Sequence, residues 1–102
     1  MTLTGKNLIA GEWCGSTENG FSAFHAVNNA PMAQKFADAT EQEVEQAIQR
    51  AQIAFGSYSQ LPASERATFL RTIGEEILTL GDELVETACA ETGLPSARVQ
   101  GE

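Results

Sequence analysis

The chain has 102 residues, enough for at most one small domain with a core of moderate size. Its net charge is -8, from 14 acidic and 6 basic residues, so it lacks the basic surplus that nucleic acid or an anionic membrane surface attracts. No apolar run approaches the roughly 18 residues of a membrane-spanning helix, and the opening MTLTGKNLIAGEW has no signal-peptide apolar region.

These features lead us to expect a cytoplasmic, water-soluble protein with neither membrane nor nucleic acid as partner. Cys14 and Cys89 lie far apart with no Cys-x-x-Cys spacing, and in a reducing compartment they are expected as free thiols.

The first 39 residues read as strand pairs and turns. Leu8-Ile9-Ala10 and Glu12-Trp13-Cys14 flank Gly11, which predicts two short strands around a tight turn. GSTENG, residues 15–20, is a polar turn cluster. Residues 21–27, from Phe21 to Val27, are rich in strand formers and predict a strand. Asn28-Asn29-Ala30-Pro31 is a turn signal, with the returning strand expected over residues 32–36.

From residue 40 to residue 102 the pattern is helical. Thr40 and Glu43 have the spacing of a capping box. Behind them Val44, Ala47, Ile48, Ala51 and Phe55 recur at helical spacing, with Gly56 as the expected stop. Pro62 suits the start of a second helix. Leu70, Ile73, Ile77, Leu80 and Leu84 form one apolar stripe, with Gly74 tolerated inside it at a cost of about 1 kcal/mol. Gly81 interrupts, and Asp82 is the expected cap of a third helix whose inward face carries Leu84, Val85, Ala88 and Cys89. Gly93 predicts a left-handed stop, and Pro95 opens a fourth helix. Strands followed by helices give an α+β chain with three to four helices, without the alternation of a complete doubly wound sheet. There is no internal repeat, low-complexity tract or linker.

Candidate chemistry is sparse. His25 is the one histidine, and a lone imidazole builds no metal site. Cys89 falls on an apolar helix stripe and Cys14 follows a tryptophan at a strand end, so both read as small packing residues. Neither Gly-x-Gly-x-x-Gly nor the P-loop pattern occurs. Glu41, Glu43, Glu45, Glu75, Glu76, Asp82 and Glu83 read as solvated helix faces and first-turn carboxylates. No catalytic, cofactor-binding or metal-binding residue is assigned from the residues themselves.

The order NLIAGEW, a polar turn, a strand pair, an acidic capped helix, LPASERATFLRTIGEEI and then GDELVETACAETGLPSAR resembles the N-terminal part of the aldehyde dehydrogenase superfamily. The likeness covers essentially the whole chain. The segments GDELVETACAETG and ETGLPSARVQGE look most like the NADP-preferring branch, which includes α-ketoglutarate semialdehyde (2,5-dioxovalerate) and fatty aldehyde dehydrogenases.

The resemblance implies the N-terminal part of an α/β, Rossmann-like cofactor-binding domain. The implied enzyme oxidises an aldehyde to a carboxylic acid with NADP or NAD through a cysteine nucleophile. That cysteine, the glutamate base and the dinucleotide-binding residues would all lie downstream, so this chain alone is expected to bind no cofactor and to be inactive. Its implied partners are the remainder of the enzyme chain and a small-molecule aldehyde, in a full-length homo-oligomer. Some family members hold a structural cation; the matching positions are the backbone of Ala26 and Val27 and the carboxylate of Glu91. Many family members carry Asn-Pro-Ala-Thr-Gly at the turn after the second strand, and this chain departs from that pattern, since Asn28 is followed by Asn29-Ala30-Pro31.

Two expectations follow. A fragment of such an enzyme would leave apolar helix stripes uncovered. A non-enzymatic acidic interaction module would instead close its own core and unfold cooperatively.

Overall fold

The structure is a computed structural model that describes residues 3–102. Met1 and Thr2, at the start of the expected strand-and-turn half, lie outside the described residues. Among the described residues four strands precede four helices, as the α+β reading expects.

Strands β1 (Asn7–Ile9) and β2 (Glu12–Cys14) pair antiparallel, with Ile9 opposite Glu12. The two residues between them, Ala10 and Gly11, both have positive φ, 52° and 83°. A two-residue turn of this hand matches the twist of the flanking strands. Ala10, expected in the strand, is therefore a turn residue.

Strands β3 (Phe21–Phe24) and β4 (Pro31–Phe36) form a separate antiparallel pair. Phe21 faces Phe36, with ring centroids 5.8 Å apart. The register slips between Ser22 and Phe24, so Met32, Ala33 and Gln34 stand against Ala23 alone. The strand expected to reach Val27 ends at Phe24. The reason is local hydrogen bonding: the His25 N–H donates to the Ala30 carbonyl at 2.9 Å, and the Asn29 N–H donates to the His25 carbonyl at 2.8 Å. Asn28 Oδ1 accepts from the Ala30 N–H at 2.9 Å, a side-chain-closed turn.

Helix α1 (Glu41–Tyr58) begins at the anticipated capping box. Thr40 Oγ1 accepts from the Glu43 N–H at 3.1 Å, and Glu43 Oε2 accepts from the Thr40 N–H at 3.0 Å. The helix continues past Gly56, because Gly56 keeps helical backbone and the Ser59 N–H still reaches the Phe55 carbonyl. Helix α2 (Ala63–Thr79) starts at Pro62, whose carbonyl accepts from Glu65 and Arg66. Tyr58 and Phe69 meet edge to face at the α1–α2 corner.

Helix α3 (Gly81–Thr92) follows α2 after Leu80, and its first residue, Gly81, has φ 59°. Asp82 does not cap it. The cap position is Leu80, no side chain bonds there, and Asp82 sits in the first turn, where a carboxylate complements the helix dipole. Leu84, expected to face inward, is exposed; Val85, Ala88 and Cys89 are half-buried. Gly93 closes α3 at φ 73°, and helix α4 (Ser96–Gln100) follows from Pro95.

The interior is very small. Among the described residues only Ile9, 8% exposed, and Ala37, 5% exposed, form a buried apolar core. Ala37, just past β4, ties that strand to β1. Its N–H donates to the Gly5 carbonyl at 2.7 Å, and its carbonyl accepts from Asn7 Nδ2 at 3.4 Å. A Cβ on Gly15, which has φ 100°, would come within 2.9 Å of the Ala37 methyl, so this junction requires glycine.

The radius of gyration is 16.8 Å, against about 13 Å for a compact chain of this length. The exposed area is 7972 Å², against about 5,600 Å² for a folded monomer of this mass. Both numbers describe an open arrangement.

Candidate functional site

Two features stand out from this scaffold: a junction between the β3–β4 loop and the end of α3, and broad apolar faces on the helices.

The junction follows from helix geometry. The last four carbonyls of a helix lack intrahelical partners. In α3 the Cys89 carbonyl accepts from the Gly93 N–H at 2.9 Å, and the Ala90 carbonyl accepts from the Ala26 N–H, also at 2.9 Å. Thr92 turns its hydroxyl back onto the Ala88 carbonyl at 2.6 Å and accepts from the Leu94 N–H. A Cβ on Gly93 would stand 3.3 Å from the Ala26 methyl, so the loop lies directly against the helix stop.

The structure thus brings Ala26 to the residue preceding Glu91. Val27 is 93% exposed and Glu91 is exposed, so these positions build no enclosed shell for a cation. Among the described residues no group of three His, Cys, Asp or Glu side chains could hold a metal ion. His25, expected in a strand, instead begins the loop, half-buried.

Neither cysteine is assembled with a base. Both are free and half-buried, and Cys14 Sγ makes one weak contact, to the Glu12 carbonyl at 3.5 Å. A dinucleotide finds no cradle either. The one passage from strand to helix among the described residues, 37–40, contains Asp38 and no glycine, and the Thr40–Glu43 box takes up the Thr40 and Glu43 N–H groups at the start of α1. An anionic pyrophosphate would meet the Asp38 and Glu43 carboxylates there, and no glycine turn that lets the backbone close on it. The residues present do not fit a nicotinamide dinucleotide.

The apolar faces are extensive. On α1, Val44, Ile48, Ile53 and Phe55 are exposed; on α2, Phe69, Leu70, Ile73, Ile77 and Leu78 are exposed, Leu78 at 80%. Two open grooves run along them. One, about 400 Å³, lies between the β1–β2 hairpin and Ala47, Ala51 and Ala54 of α1. The other, about 460 Å³, lies among the end of α2, α3 and α4. A monomer's largest apolar patch is usually about 300–600 Å² and larger ones mark surfaces built to be covered.

Comparison with known proteins places this architecture in a family. Residues 13–102 match the model of the aldehyde dehydrogenase family. The chain belongs to the aldehyde dehydrogenase family. It is 44% identical over its whole length to α-ketoglutaric semialdehyde dehydrogenase 2 of Azospirillum brasilense, covering 20% of that protein. It is 39% identical over 96% of its length to α-ketoglutaric semialdehyde dehydrogenase of Acinetobacter baylyi, covering 19% of that protein. A malonate-semialdehyde dehydrogenase of Bacillus pumilus is 33% identical over 95% of the chain and is covered to 20%. The chain therefore spans about a fifth of the length of the curated relatives it matches. No solved structure matches it significantly.

The resemblance read from NLIAGEW and ETGLPSAR is thus correct at the level of the family and of α-ketoglutaric semialdehyde dehydrogenase homologues. The contact that sequence reasoning missed is the Ala26–Ala90 hydrogen bond. It joins two backbone groups 64 positions apart, and no side-chain pattern records it.

Proposed function

We propose that this chain supplies the outer, N-terminal part of the cofactor-binding domain of an NAD(P)-dependent aldehyde dehydrogenase, as one unit over residues 1–102. The observation that carries this reading is that the whole chain matches one fifth of a semialdehyde dehydrogenase at 44% identity. Its exposed helix faces support the same reading.

The substrate class is a semialdehyde bearing a carboxylate, by likeness to relatives with α-ketoglutaric and malonate semialdehyde in their names. NADP is the proposed cofactor by branch likeness, and the full-length enzyme is proposed to be a cytoplasmic homo-oligomer. The remainder of the enzyme holds the cofactor and the aldehyde and covers the stripes of α1 and α2. The residues of this chain contribute position. Ala37 pins the first hairpin to the second, and Ala26 pins the second hairpin to the end of α3.

Two measurements test the reading. The purified 102-residue chain, mixed with α-ketoglutaric semialdehyde and NADP or NAD, should give no change in nicotinamide absorbance; turnover would overturn the assignment. A chimera in which this chain replaces the matching fifth of the Azospirillum brasilense enzyme should fold and oxidise its semialdehyde. An insoluble chimera would show that the chain does not carry the surface the remainder needs.

The alternative, a self-contained acidic interaction module, requires a closed core. A buried interior of Ile9 and Ala37 among the described residues does not favour it.

A further inference from the structure

We draw no further inference here: the strongest candidate, the apolar groove of Ile77, Leu78, Leu84, Val85, Ala88 and Val99 between the end of α2, α3 and α4, belongs to the uncovered surface already assigned to the rest of the enzyme, and nothing in the structure shows a different occupant.

Discussion

At the scale of single residues, a few short-range contacts set the geometry. The Thr40 hydroxyl satisfies one of the orphan donors of α1, and Glu43 satisfies the reciprocal one. Thr40→Ala should weaken α1 by about 1 kcal/mol. Faster amide exchange at Glu43 and reduced helical circular dichroism would show it, whereas unchanged exchange would mean the box contributes nothing. Gly93 is a second such point. Its left-handed backbone and the nearby Ala26 methyl both resist a side chain, so Gly93→Ala should cost about 1–2 kcal/mol. Exchange protection should then drop at the Ala26 amide, which reports the bond to Ala90. The Arg98–Glu102 pair is different. At 2.7 Å it is short, yet both side chains are about two-thirds exposed and the order along the helix is the weaker one. Glu102→Gln should change stability by less than about 0.5 kcal/mol, as read from a melting comparison in low and high salt.

At the scale of elements, the apolar stripes of α1 and α2 are largely uncovered. Helical stability in proteins comes mainly from packing the apolar side, so α2 here relies on its own propensity. Gly74 lies mid-helix, and a methyl group added there would meet no atom within 4 Å. Gly74→Ala should therefore raise helicity and stabilise α2 by about 0.5–1 kcal/mol. If circular dichroism instead shows a loss, a close neighbour must occupy that face. The strands face the opposite problem. Each sheet has two strands, and an isolated pair is marginal in water. The first pair leans on α1 through β1, and the second is tied to α3 by the Ala26–Ala90 bond.

At the scale of the whole molecule, size and shape decide the behaviour. A radius of gyration of 16.8 Å and two buried apolar residues leave little burial to offset the entropy of ordering the chain. The isolated chain should bind a hydrophobic dye strongly and melt over a broad range. A sharp cooperative transition without dye binding would point instead to a closed core. Among the described residues no helix is long and apolar enough to cross a membrane.

The elements are largely legible in the sequence because their signals are local. The capping box at Thr40, the turn at Gly11, the left-handed stop at Gly93 and the opening Pro95 each depend on neighbours within four residues. Sequence and structure differ where the deciding partner is elsewhere or where a local signal is ambiguous. The strand ends at Phe24 because residues 25–30 close on themselves and Ala26 bonds to α3. Helix α1 runs through Gly56 because a glycine in helical backbone is only a weak stop.

The sequence by itself determined the element order, most caps and the family, since all three rest on short motifs and their spacing. Only the tertiary structure decided which faces are covered. It showed that Ala37 and Ile9 are enclosed while the stripes of α1 and α2 stay open. Burial depends on which surfaces meet, and periodicity marks an apolar face without supplying the surface that covers it.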